Sequence, residues 1–295
     1  ILSSGVGISS DALRDCAERG IPVHFLSRSG NPYATLVSAD LVGTARTRRE
    51  QLMAFNDQRG AALSQAFASG KLHNQCTLLK YLAKNRKEKE PELFAQVREV
   101  ALEVQRCGDA VTKLQATTAD DLRPALLNLE GRGASLYWQA IQTLLRVDMD
   151  WPGRETRGAT DPLNMALNYG YGILYSQVQM AALLAGLDPY AGFVHVDRAG
   201  KPSLVLDLIE EFRQPVVDRT VFGLVNKRVP ITLADERLDE ATRRLLAQHV
   251  LDRLDAEEPY EGKRHRLRVI LQTQARHVAT FVRGQGPYRP FVTRW

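Results

Sequence analysis

Four side chains able to do acid, base or metal chemistry fall in two short stretches of the 295-residue chain. Glu130 lies in LEGRGASLYW, while His195, Asp207 and Glu210 lie in residues 192–219, GFVHVDRAGKPSLVLDLIEEFRQPVVDR. His195 ends a short apolar run, DRAGKP makes a turn, and Ser203 opens an apolar-periodic helix. Asp207 and Glu210 are three residues apart, so they project from neighbouring positions on one helix face. Leu204, Leu208 and Phe212 mark the buried side, which puts these acids at a core boundary and not on a solvated ridge. Two carboxylates and an imidazole suit Mg²⁺ or Mn²⁺, and the mixed donor set tilts the choice toward Mn²⁺. Such a cation activates a water or hydroxyl nucleophile and stabilises charge building on a phosphoryl group. Cys16, Cys76 and Cys107 are scattered and have no zinc-type spacing.

The charge distribution points to a partner for that chemistry. Lys and Arg number 39 against 34 Asp and Glu, a modest excess, but after Glu261 the chain has no acid at all. Lys263, Arg264, Arg266, Arg268, Arg276, Arg283, Arg289 and Arg294 come after it, interleaved with His265, His277, Tyr288 and Trp295. Such a segment, led by Arg264, Arg266 and Arg268, can track a phosphate backbone. A merely solvated cationic tail is the plainer reading. Taken with the acids and the histidine, the natural substrate class is a nucleic-acid phosphodiester.

The elements that must position these residues divide the chain unequally. With 44% hydrophobic and 25% charged residues it has the composition of a soluble globular protein with ample core. Few, unpaired cysteines point to a reducing, cytoplasmic compartment. The most apolar stretch, Ile173–Leu187, is interrupted by Gln177 and Gln179, and no charged leader precedes an apolar one, so neither a membrane span nor a signal peptide is expected. The chain opens on Ile1 in what reads as the end of a strand, so an N-terminal portion is expected to be missing. Ser9 or Ser10 can cap a helix over DALRDCAER, closed by Gly20. A strand at Ile21–Leu26 then turns through Ser27–Asn31 into a partner at Pro32–Val37, with His24 a half-buried strand residue.

From Thr44 onward helical periodicity takes over, and a boundary is expected between Val42 and Ala45. Helices are expected over TRREQLMAFNDQRGAALSQAFAS, KLHNQCTLLKYLAKN and PELFAQVREVALEVQRCGDAVTKLQ, with Gly70 and Pro91 as breaks. Another begins after Thr118 with Pro124 in its first turn, and Glu130 falls within it beside Gly131 and Gly133. The small neighbours allow close approach of something large, although an exposed glutamate fits the same pattern. Asp161 and Pro162 cap LNMALNYGYGILYSQVQMAALLAG, where Asn164 and Asn168 are one turn apart, as are Tyr171 and Tyr175. A buried asparagine needs partners, so this helix is expected to line the site from behind. The fold class is α+β and predominantly α-helical. A partial N-terminal β domain occupies residues 1–43, and a large all-helical catalytic domain with the basic segment occupies 44–295.

LEGRGASLYW, DPLNMALNYGYGILY and the stretch from Gly192 to Arg219 together resemble the three signature blocks of the CRISPR-associated integrase family, the catalytic subunit of the spacer-acquisition complex. The blocks stand in the family's order, and GVGISSDALRDCAERGIPVHFL resembles the end of its N-terminal β domain. The resemblance implies a dimerising β domain and a helical catalytic domain that binds Mn²⁺ or Mg²⁺ through Glu130, His195 and Glu210. It implies that Asp207 supports those ligands at the catalytic centre, that Lys201 meets DNA phosphate, and that Asn164 and Tyr171 stand near the reacting groups. The implied activity is that of a metal-dependent DNA integrase or endonuclease. The 3′-hydroxyl of a captured fragment attacks a phosphodiester at a repeat edge, and a second attack at the opposite edge completes insertion of a new spacer. The implied partners are double-stranded DNA (fragment and repeat), a second copy of the chain, and a small non-catalytic adaptation subunit, with room for a fragment-trimming nuclease domain or subunit. Two other readings share part of this pattern: a metal-dependent nuclease or phosphoesterase that releases its products, and a DNA-binding scaffold that needs the basic segment alone.

Overall fold

The computed structural model describes the chain except for residues 1, 4–5, 20, 22, 27–31, 37–44, 146–150, 157 and 197. At the N-terminus β1 (Leu2–Ser3), α1 (Ser10–Glu18), β2 (Val23–Leu26) and β3 (Pro32–Leu36) form a small sheet of order β1-β2-β3 with its helix. β1 pairs parallel to β2, and β2 runs antiparallel to β3 with Val23 opposite Leu36 and Phe25 opposite Ala34. Ser9 caps α1 by accepting from the Ala12 backbone N–H. The expected turn at Ser27–Asn31, the side chain of His24 and the boundary after residue 43 lie outside the described residues.

Helices dominate the rest of the chain, beginning with α2 (Ala45–Ala54), α3 (Gln58–Ala83), α4 (Pro91–Val111), α5 (Ala119–Leu144) and α6 (Pro162–Leu184). α3, α4 and α5 pack on one another most extensively, around Phe67, Leu72, Leu79, Val104, Tyr137 and Ile141. Three local expectations give way here. The first helical run breaks at 55–57, because Asp57 caps a new helix by accepting from Arg59 N and holds the Arg59 guanidinium as well. Gly70 does not break α3. It lies where the helix touches the C-terminal tail, and a Cβ there would come within 2.7 Å of Pro290 Cβ and 3.3 Å of Glu211 Cγ. Pro124 sits beyond the first turn of α5, since Thr118 starts that helix by accepting from Asp121 N.

The stretch after Ser203 is not one helix. α7 (Ser203–Leu208) tightens into a 3₁₀ turn at Ile209–Glu211, widens into a π-helical segment at Arg213–Asp218, which contains Pro215, and resumes as α8 (Arg219–Asn226). Proline lacks the N–H that a regular ladder needs, and the altered pitch aims Asp207 and Glu210 in different directions from those of one continuous helix. Two hairpins also interrupt the helical part: β4 (Leu233–Ala234) with β5 (Arg237–Leu238), and, after α9 (Glu240–Asp255), β6 (Glu257–Tyr260) with β7 (Lys263–Arg266). Both turn through paired left-handed residues, Asp235–Glu236 (φ 50° and 57°) and Glu261–Gly262 (φ 48° and 80°), as two-residue hairpins require. α10 (Leu267–Val282) leads into a tail that folds back on α3, where Asn74 donates to Glu211 O and Phe291 O and accepts from Thr293 N. The architecture is therefore α+β and mostly helical, with these hairpins as additions to the helical part.

Candidate functional site

Three elements converge on one buried cluster of charge. α5 delivers Glu130, the 3₁₀ turn delivers Glu210, and α3 delivers Lys71, which stands between them with Nζ 2.5 Å from Glu130 Oε1 and 2.8 Å from Glu210 Oε2. Glu130 is not the exposed helix glutamate that its flanking glycines also allowed. Gly133, one turn on, faces Leu72 of α3, where a Cβ would lie 2.2 Å from Leu72 Cδ2, and this close helix contact places Glu130 beside Lys71. Glu210 is only 6% exposed, deeper than a core boundary, and Arg213 Nε lies 3.2 Å from its Oε1. Burial works to raise the Glu210 pKa, but Arg213 and Lys71 outweigh it, with help from His195, and hold the carboxyl well below the usual range. Burial likewise works against a charged Lys71, and Glu210 and Glu130 overcome it to leave the ammonium pKa raised.

His195 is placed by a different device. Asp207 is fully buried, and its Oδ2 accepts from the backbone N–H groups of Phe193 (2.6 Å) and Val194 (3.0 Å). Its Oδ1 lies 3.0 Å from His195 N and 2.7 Å from His195 Nδ1. A carboxylate accepting from Nδ1–H fixes the ring's tautomer and orientation and leaves the Nε2 lone pair available as a ligand or base. From α5, Arg123 donates to Val194 O and Phe193 O, so the loop is gripped from both sides. Gly192 is required here because a Cβ would lie 2.6 Å from the Ser203 carbonyl carbon and 2.8 Å from Asp207 Oδ2.

The asparagines and tyrosines of α6 form a layer behind the acids. Asn164 Oδ1 accepts from Arg154 Nη1 (3.1 Å) and Glu155 N (3.0 Å), and its Nδ2 donates to Gly153 O and Asp161 Oδ2. Asn168 Oδ1 accepts from Arg154 Nη2 at 2.7 Å, so the two amides aim one guanidinium. Tyr171 stacks beneath Arg213 and Arg154, 4.8 Å and 5.4 Å from its ring centre, and donates its hydroxyl to Asp218. Tyr137 donates to the other oxygen of Asp218 at 2.6 Å. Burial pushes Asp218 up to about 6, although both phenols and the arginines pull the other way.

A cleft of about 800 Å³ opens beside this layer, lined by Arg154, Arg213, Arg237 and Arg243 together with Tyr171 and Tyr175, and no acid lines it among the described residues. The sequence-predicted basic residues lie elsewhere. Lys201 bridges to Arg198 in the turn after His195, and among the described residues no hydrogen bond or ion pair joins it to Lys71, Glu130 or Glu210. Arg264 lies 3.6 Å from Glu257, and Arg266 and Arg268 lie 3.9 Å and 2.6 Å from Asp255. Lys71, Arg213, Arg154, Asp218 and Tyr137 do not stand out in the sequence by type or spacing. A signal for Lys71 is present nonetheless: Lys71, Asn74 and Gln75 make a polar stripe at helical spacing between Leu72, Leu78 and Leu79.

Among the described residues no three His, Cys, Asp or Glu groups stand together as a ready metal cage. The donor set nevertheless fits a hard divalent cation. Two acids already converge on one positive charge, and Glu210 Oε2 is buried with no well-aligned hydrogen-bond donor among the described residues. His195, whose Nε2 has no hydrogen-bond partner among the described residues, adds a nitrogen donor within electrostatic reach of Glu210.

A family profile described as CRISPR associated protein Cas1 matches residues 1–250. The chain is 39% identical over 300 residues to the CRISPR-associated endonuclease Cas1 1 of Archaeoglobus fulgidus, covering 98% of this chain and 87% of that protein. Its fold is similar to that of a casposase bound to integration product, with a TM-score of 0.78 and 21% identity over 96% of this chain and 77% of that one. It is similar too to the fold of a Cas1 protein from Thermotoga maritima, with a TM-score of 0.74 and 20% identity over 99% of this chain and 87% of that one.

Proposed function

The chain belongs to the CRISPR-associated Cas1 family, and from that premise we propose that it is a metal-dependent DNA integrase that joins captured DNA fragments to the edges of a CRISPR repeat. The observation that supports this most is the pairing of Glu130 with Glu210 around a single cation, next to an imidazole whose free nitrogen is fixed by Asp207. In this reading Glu130, His195 and Glu210 would hold Mn²⁺ or Mg²⁺, which when bound polarises a scissile phosphate and stabilises the charge that develops on it. Asp207 does not reach the reacting atoms: it has four hydrogen bonds to the His195 loop and acts as a positioning group.

The protein's own residues supply the rest. Arg154 and Arg213, held over Tyr171, present fixed positive charge to a phosphate backbone that enters the arginine-lined cleft. Fixed charge at that wall aligns an attacking 3′-hydroxyl and the phosphodiester without reading bases, and alignment is the main contribution a protein makes to such a transfer. Because the reaction exchanges one phosphodiester for another, the 3′-hydroxyl of the fragment forms the new bond, and the strand cut at the repeat edge leaves with a free hydroxyl. A second copy of the chain and a small non-catalytic adaptation subunit complete the assembly that places two such sites on one repeat.

The test is a strand-joining assay with fragment and repeat DNA and the small subunit, run with Mn²⁺ and with chelator. Glu130→Ala and Glu210→Ala are expected to abolish joining and to retain most DNA binding. Joining at the wild-type level in either variant refutes the site, and cut but unjoined product from the wild type favours a nuclease.

A further inference from the structure

Resting on the metal-site reading above, we infer that Lys71 is an internal counter-ion for the Glu130–Glu210 pair and yields that place when a divalent cation enters. Its ammonium lies 2.5 Å from one carboxylate and 2.8 Å from the other, in the space that a shared cation would fill. Without it, two carboxylates would face each other with Arg213 as the ion-pair partner left on the Glu210 side among the described residues, an arrangement that burial makes costly. The ammonium thus keeps the acid pair assembled before any metal arrives.

The contact is also built to be released. Among the described residues Glu210 Oε2 has no well-aligned donor even at 2.8 Å from Nζ, so on that side charge does more than a directed hydrogen bond to hold Lys71. A divalent ion offers the same carboxylates twice the charge, and it repels an ammonium left on the same oxygens. The backbone at Lys71 cannot give way, because Gly70 is wedged against Pro290 and Glu211, and Asn74 ties the same helix to the tail at Phe291 and Thr293. Only the four-carbon side chain can move, and its 13% exposure marks a route outward. Arg213 is not the mobile partner, since it stacks on Tyr171 within the π-helical segment. Released, the Lys71 ammonium is a mobile charge for a phosphate oxygen that approaches the same acids. Metal loading and substrate charge recognition are thereby coupled through one side chain.

The test uses the full chain and needs no turnover. Lysines are labelled with a small amine-acylating reagent in chelator and in saturating Mg²⁺, and modification is read by peptide mass spectrometry, with Lys80 and Lys113 as internal controls. Lys71 is expected to be protected in chelator and modified several-fold faster with Mg²⁺, while the controls do not change. In parallel, Mn²⁺ binding is followed by electron paramagnetic resonance for the wild type and Lys71→Gln, which is expected to bind about tenfold more tightly because no internal cation competes. Unchanged Lys71 labelling in wild-type protein that does bind the metal overturns the inference and leaves the metal site standing, and this measurement does not depend on the variant folding. Equal Mn²⁺ affinity in a folded Lys71→Gln protein overturns it too. Failure of both proteins to bind Mn²⁺ refutes the metal site itself and the inference with it.

Discussion

Replacing Asp207 by asparagine separates holding the site from performing its chemistry. The carboxylate accepts four hydrogen bonds, two at each oxygen, from Phe193 N, Val194 N, His195 N and His195 Nδ1. An asparagine of the same shape has one acceptor oxygen, so whichever way its amide turns, two donors lose their partner and face an N–H₂ group instead. Hydrogen bonds to a buried charged group contribute about 1.5–3 kcal/mol each, which puts the loss at about 3–6 kcal/mol. A domain's whole stability is typically about 5–15 kcal/mol, so the loss is a large fraction of it. His195→Ala should cost far less: the ring is 30% exposed, and its removal leaves Asp207 bonded to three backbone N–H groups. Both variants are expected to lose strand joining, but only Asp207→Asn should move the denaturation midpoint strongly. Urea unfolding followed by tryptophan fluorescence, with joining measured on the same preparations, checks this. An Asp207→Asn protein within about 1 kcal/mol of wild type would show that Asp207 does not hold the loop.

The same geometry sets three further outcomes. Burial pushes Glu211 up to about 8 from its usual 4.5, against the pull of Tyr288, Phe291 N and Gln274. The native state therefore keeps a proton that the unfolded chain has released, and stability falls as pH rises from about 4.5 to 8, by at most about 1.4 kcal/mol per pH unit. Asp218, raised to about 6, adds to the same slope at lower pH. Between pH values of about 6.5 and 8.5 Glu211→Gln should flatten the profile, and a parallel decline in both proteins would refute the assignment. Gly192→Ala, whose Cβ would lie 2.6 Å from the Ser203 backbone, is expected to reduce Mn²⁺ affinity and joining by displacing the His195 loop, and wild-type values of both would refute the requirement. For DNA, Arg237→Ala with Arg243→Ala should reduce the slope of log affinity against log salt by about 1–2, more than removing Arg264 and Arg266, which face Glu257 and Asp255. Equal slope changes would put the phosphate path on the C-terminal segment as much as in the cleft.

How each contact is encoded decides whether the sequence discloses it. Mostly helical architecture is legible because apolar periodicity is local, and the capping residues Ser9 and Asp161 stand beside the helices they start. The two hairpins are harder to see: strands of two and four residues carry almost no alternation, although Glu261–Gly262 is a turn signal. Gly70 misleads because a glycine required by a tertiary contact looks the same as a helix breaker, and its partner Pro290 is 220 residues away in sequence. The acids of residues 192–219 stand out by type and spacing, but neither discloses that Asp207 commits all its bonds to a loop while Glu210 turns to another helix.

Lys71 is the sharpest case. On its own helix it is one of two lysines, and only the short polar stripe with Asn74 and Gln75 sets it apart from Lys80, which is paired with Gln105 at the surface. Its character comes from α5 and the 3₁₀ turn, which bring acids to it from 59 and 139 positions further along the chain. The close contact of Gly133 with Leu72 sets the first approach, and the contact of Gly70 with Glu211 sets the second. Each glycine thus sits within three residues of a charged group that it brings into place, on α5 for Glu130 and on α3 for Lys71. The small residues that weaken both helices by propensity are what allow three backbones to converge on one buried charge. Helix stability is exchanged for the proximity that the chemistry needs.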